Sequence, residues 1–194
     1  MTATIPHQLV YNDNVYSIIG IDGEGLFNPT DYKVKTIPTT ACSGFISTYC
    51  LINNSLRLSK VCLNLDKKDL ESIDRGNGIK LFGKVPRRYI QIDAKGREYT
   101  SWDFICDDLK ELISFTGGML IGYSSLSKFF TVRGLPLPYT FKNVWELIFD
   151  SGQLMEAIDC SQQMSQFRKM QANGGLEFKQ QEWLEECFSF YYSR

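Results

Sequence analysis

The sequence predicts an α+β fold: a mostly antiparallel β-sheet built from hairpins, packed with one central helix and with helices at the C-terminus. Three observations carry this. "GFISTYCLINNSLRLSKVCLNL" alternates apolar and polar residues on both sides of Asn53-Asn54, the pattern of two strands joined by a tight turn. "NVWELIFDSGQLMEAID" repeats that pattern around Ser151-Gly152. Helical spacing replaces it over 102–114 and again in the C-terminal part of the chain.

Taken in order, "MTATIPHQLVYNDN" is polar and broken by Pro6, and 1–14 is expected as a flexible tail. "VYSIIGI" is β-branched and aromatic and ends at glycine, a strand; "DGEGLFNPTDY" is dense in turn formers, a loop. In the first hairpin Phe45, Tyr49 and Leu51 share a face with Ser47 between them, and Leu56 and Leu58 resume the alternation beyond the turn. "LDKKDLESIDRGNG" suits one or two helical turns before Asn77-Gly78, and "IKLFGKV" a short strand ending near Pro86. "RYIQIDAKGREYTS" reads as a second hairpin turning at Ala94-Lys95-Gly96.

Phe104, Ile105, Leu109, Leu112 and Ile113 then recur at helical spacing, with Thr100 and Asp103 placed as a capping box; a helix is expected over 102–114. "FTGGMLIGYS" carries two glycines and a hydroxyl in the manner of a phosphate loop. Tyr123 stands where such a loop needs lysine, however, and the apolar interior marks a buried central strand. "LSKFF" and the proline-bearing "RGLPLPYT" connect it to the third hairpin, where Trp145, Leu147 and Phe149 share a face. Met164, Phe167 and Met170 imply a helix stopping at Gly174-Gly175. Trp183, Leu184, Cys187, Phe188 and Tyr191 form an apolar face on a second helix, expected to dock on the protein's own core.

Composition narrows the function classes. The 194 residues are 43% hydrophobic and 22% charged, which suits a single α+β domain over 1–194 rather than a disordered chain. A net charge of -1 supplies no whole-molecule attraction to nucleic acid or to an anionic membrane. No apolar run reaches the roughly 20 residues of a spanning helix, and no secretory signal is visible, so a cytoplasmic location is expected. The six cysteines are scattered without a C-x-x-C pair and read as reduced, mostly buried thiols. The one histidine, His7, falls in the expected tail, which leaves Ser-His-Asp triads, Cys-His dyads and His-built zinc sites without an anchored imidazole.

Two constellations remain as candidate sites. Asp22 and Glu24 in "GIDGEG" form a carboxylate pair of the kind used for acid–base chemistry or a hard cation, with Asp31 or Asp159 as a further acid. A basic stretch from Arg75 to Arg97 includes Lys84, Arg87, Arg88 and Tyr89, whose charges and ring suit a phosphate backbone and stacked bases. Acids crowd the following stretch, so part of that charge is open to internal pairing. Cys42 and Ser124 are the loop-adjacent nucleophiles, and neither has a base beside it in sequence. The reading from sequence is therefore a non-catalytic cytoplasmic binding protein, needing no metal or cofactor. It is of the protein–protein, regulatory or immunity type, with a protein partner or second copy and a bacterial source. The alternatives are a metal-assisted or acid–base hydrolase using Asp22 and Glu24, and a single-stranded nucleic-acid binder using 75–97.

Overall fold

The computed structural model describes residues 5–38, 43–75, 78–88, 91–92, 95–99, 104–126, 135–172, 183 and 186–192. Strand β1 (Gln8–Tyr11) lies inside the stretch expected as a tail. It pairs antiparallel with β2 (Asn14–Glu24) across Asn12-Asp13, which both take positive φ, and parallel with β3 (Phe45–Ile52), Gln8 facing Thr48. The physical reason is local: Asn-Asp tolerates the left-handed turn, and Leu9 is driven inward until it is fully buried.

β3 reverses at Asn53-Asn54, again both at positive φ, into β4 (Ser55–Leu63). Helix α1 (Lys67–Asp74) follows, its N-terminus capped by the Asp66 carboxylate on Asp69 N at 2.9 Å. Short strands come next: β5 (Arg87–Arg88), β6 (Gln91–Ile92), β7 (Glu98–Tyr99), β8 (Phe104–Cys106) and β9 (Glu111–Leu112). The long strands β10 (Thr116–Ser125), β11 (Phe141–Asp150) and β12 (Gln153–Asp159) precede helix α2 (Ser161–Ala172).

The main sheet runs β12-β11-β10-β2-β1-β3-β4-β8-β5, mixed but antiparallel at every pairing except β1–β3. It curls on itself until Gln153 of β12 faces Ser55 of β4. Two backbone bonds fasten this corner: Leu56 N to Gly152 O at 2.7 Å and Leu154 N to Asn54 O at 2.8 Å. The closure makes an inside and an outside, and alternate residues go to each. Met119 and Ile121 of β10 join Leu9, Ile18, Tyr49, Leu58, Leu147 and Phe149 in the larger core. Leu120 between them joins Val144, Met164, Phe167 and Tyr192 in a second cluster on the opposite face, beneath α2.

"FTGGMLIGYS" is thus a central strand, between β2 and β11. Its Gly118 is required by packing: a methyl group there would collide with Phe190 and with the Tyr192 hydroxyl, which lie directly on the strand. The aromatic C-terminal residues therefore close the protein's own outer cluster, where Trp183, Cys187, Phe188 and Phe190 also pack.

Two expected elements are absent. The helix over 102–114 is replaced by β8 and β9, with Phe104, Ile105 and Cys106 paired to Leu63, Cys62 and Val61 of β4. Helical spacing misled because two strands flanking a turn also bury Phe104, Cys106, Leu109 and Ile113 on one side. Leu112, which a helix would have buried, is 63% exposed, and Asp108 at the turn has φ 51. The unpaired backbone along the β4 edge supplied partners that local propensity did not anticipate. Nor is "IKLFGKV" a strand: Leu81 and Lys84 close a tight turn through Phe82 at φ 51 and Gly83. The second C-terminal helix is not continued over 187–192, where Cys187, Phe188 and Tyr191 lie on turn and irregular backbone. Its residues 176–182, 184 and 185 lie outside the described residues, as do the capping box Thr100/Asp103, Ala94, residues 127–130 of "LSKFF", the Gly174-Gly175 stop, Cys42 and Tyr89. Among the described residues, no helix is long and apolar enough to cross a membrane.

Candidate functional site

The start of β1, the start of β3 and the end of β2 meet at one place, and the loop leaving β2 folds over it. The resulting cleft has a volume of about 340 Å³. Its walls are His7, Ile21, Phe27, Phe45 and Tyr49, with Glu24 and Asn28 among the polar groups.

The loop is shaped by its own sequence. Gly25 takes φ 98 and passes so close to Ser114 O that no side chain fits there. Asn28 caps a short 3-10 turn (Pro29–Tyr32): its Oδ1 accepts from Thr30 N at 3.0 Å and from Thr30 Oγ1 at 2.8 Å. The turn ends on Lys33 in the left-handed region. Between these fixed points Phe27 is driven inward, where its ring meets Phe45 at 6.1 Å edge-on and Tyr32 at 5.5 Å.

His7 is held, not loose. Its Nδ1 accepts the amide of Ser47 at 3.0 Å, its carbonyl accepts from Ile18 N at 2.8 Å, and its ring lies 5.1 Å from Phe45. Burial pushes its pKa below the ordinary histidine value, so the ring is neutral at pH 7. A neutral imidazole that accepts at Nδ1 carries its proton on Nε2. Tyr49 forms the floor, and burial pushes its phenol up to about 12.

The carboxylate pair is divided. Glu24 is exposed at the cleft, whereas Asp22 Oδ2 accepts the amide of Tyr191 at 3.1 Å and so serves the C-terminal segment. Asp31 lies in the 3-10 turn, and Asp159 Oδ1 accepts Ser161 N at 2.9 Å at the start of α2; neither lines the cleft. Among the described residues no three His, Cys, Asp or Glu side chains are grouped as metal ligands.

The basic stretch meets the acids that follow it. Arg87 pairs with Asp107, and this hydrogen bond holds the Asp107 carboxyl below its usual range. Lys84 donates to the carbonyl oxygens of Asp107 and Asp108 and lies 3.9 Å from the Asp108 carboxylate. Arg88 sits over the Phe104 ring at 6.0 Å. The described cysteines Cys50, Cys62, Cys106, Cys160 and Cys187 are free thiols, and burial pushes Cys160 up to about 12 and Cys187 up to about 11.

Sequence reasoning missed His7, Asn28, Phe27 and Phe45 as members of one site. A signal existed for the first: "HQLVYNDNVY" alternates around Asn-Asp, a hairpin that brings His7 into the sheet. The loop residues left no such signal, because their meeting with β3 is long-range. The chain matches no protein-family model, no curated protein and no solved structure.

Proposed function

We propose that this is a non-catalytic binding protein that takes a small ligand in the His7–Glu24–Phe45 cleft. The observation that carries the reading is the engagement of His7 Nδ1 by Ser47 N. A general base needs a free lone pair facing its substrate, and here the nitrogen left over is the protonated Nε2, a donor. The cleft thus combines the neutral His7 ring, the Asn28 side-chain amide, the Glu24 acceptor and aromatic walls, a make-up suited to a small ligand.

The hydrolase reading draws less support, since Asp22 is committed to Tyr191 and no second carboxylate joins Glu24 among the described residues lining the cleft. Nucleic-acid binding through Lys84 and Arg87 also draws less, because both side chains already engage Asp107 and Asp108. The regulatory or immunity-type role, with a protein partner, is a use to which a ligand-responsive binding protein is suited.

The test is a screen of small aromatic fragments by amide chemical-shift perturbation. The expected result is perturbation concentrated on His7, Glu24, Phe27 and Phe45, with no fragment turned over. Perturbation confined to residues 84–88, or ester or phosphoester hydrolysis abolished by Glu24→Gln, would overturn the reading.

A further inference from the structure

We infer that the ligand of this cleft is a compact organic ammonium ion, an inference that rests on the cleft being a binding site at all. Charge comes first. Among the described residues lining the cleft, Glu24 alone carries a formal charge, and neither lysine nor arginine is among them. An anionic ligand would meet repulsion with no compensating cation among those described residues. A cationic one meets a carboxylate at the exposed rim.

The histidine does not reverse that balance. Its Nδ1 is occupied by Ser47 N, and its burial disfavours the imidazolium, so it adds no positive charge at neutral pH. A charged histidine there would repel an ammonium group; a neutral one is compatible with it.

The walls supply the remaining attraction. Phe45 is only partly buried and is the ring left accessible at the cleft, whereas Phe27 is buried behind it, packed edge-on against Phe45 and against Tyr32 and Phe82. Aromatic faces carry the negative part of the ring quadrupole and attract cations, most strongly where water is displaced. Tyr49, 1% exposed, lies in the core beneath them and supports the accessible ring rather than meeting the ligand. The volume of about 340 Å³ lies at the small end of ligand sites and suits one ring or a short alkyl chain bearing the ammonium.

The experiment uses a matched pair of probes, 2-phenylethylammonium and 2-phenylethanol, titrated into the full chain by calorimetry with amide shifts recorded in parallel. The ammonium probe should bind at least about tenfold more tightly, as expected for a carboxylate and cation–π contribution on the order of 1.4 kcal/mol. In Glu24→Gln, an exposed position where folding is checked by the melting temperature, that preference should fall towards one. Phe45→Leu should weaken both probes. If the alcohol binds as well as the ammonium and shifts His7 and Phe45, the cation assignment fails while the binding site stands. If neither probe shifts those residues, both fail. A preference that survives Glu24→Gln overturns the role given to that carboxylate.

Discussion

The phenol of Tyr192 donates to the carboxylate of Glu146 at 2.9 Å, and Glu146 is 1% exposed. The same carboxylate accepts Ser189 N at 2.8 and 3.0 Å, on its two oxygens, and Phe190 N at 3.3 Å. One buried acid on the outer face of β11 therefore receives the backbone and a side chain of the last described segment. Burial, with the Glu146 charge beside it, pushes the Tyr192 phenol far above its ordinary pKa, so it stays a donor at any working pH.

Removing the acceptor should release that segment. Glu146→Ala leaves its donors unmatched and should cost more than Tyr192→Phe, which deletes one hydrogen bond to a charged group worth roughly 1.5–3 kcal/mol. Urea unfolding measures both. Hydrogen exchange should show Ser189 and Phe190 amides losing protection in Glu146→Ala, and equal losses of stability in the two variants would contradict the shared-acceptor geometry.

Gly118 tests the seat beneath the same segment. Gly118→Ala should destabilise by about 1–3 kcal/mol because the new methyl meets Phe190 and Tyr192. Adding Phe190→Ala should recover part of that loss, a coupling that independent sites do not show. Strict additivity of the two changes would remove the contact.

His7 fixes a pH dependence. Its folded pKa lies below the unfolded value near 6.5, so between the two the unfolded chain binds more protons. Stability is therefore complete above about pH 6.5 and falls as pH drops towards the folded pKa, by at most about 1.4 kcal/mol per pH unit. Asp107, whose pKa is also lowered, loses its stabilising contribution only as pH falls below the ordinary carboxylate value, in a more acidic window. Urea melts from pH 7.5 to 5 should show the upper decline in the native chain and a flatter curve in His7→Gln. An NMR titration giving His7 a pKa at or above 6.5 would refute it.

Asp108 distinguishes strands from a helix in the 104–113 region. At φ 51 glycine is tolerated at least as well as aspartate, so Asp108→Gly should be neutral or stabilising by up to about 1 kcal/mol. In a helix the same change would cost about 0.5–1 kcal/mol. Asp108→Val should destabilise, since a β-branched residue fits that conformation poorly.

The sequence by itself determined where the chain turns and which strand faces are apolar. Asn53-Asn54 and Ser151-Gly152 turn because few other residues accept left-handed backbone, and Phe45, Tyr49, Leu147 and Phe149 turn inward because period-two alternation leaves them no other face. Those are short-range properties. Tertiary structure decided what no local window contains: that β4 offers an edge which converts 104–112 into strands, that β12 reaches Ser55, and that His7 comes to lie beside Phe45. It also separated Asp22 from Glu24, two residues apart on one strand, giving one to the C-terminal segment and the other to the cleft. The physical reason is that side-chain period fixes a face, whereas the partner met on that face depends on residues roughly 20 to 170 positions away, brought there by burial and by pairing of exposed backbone edges.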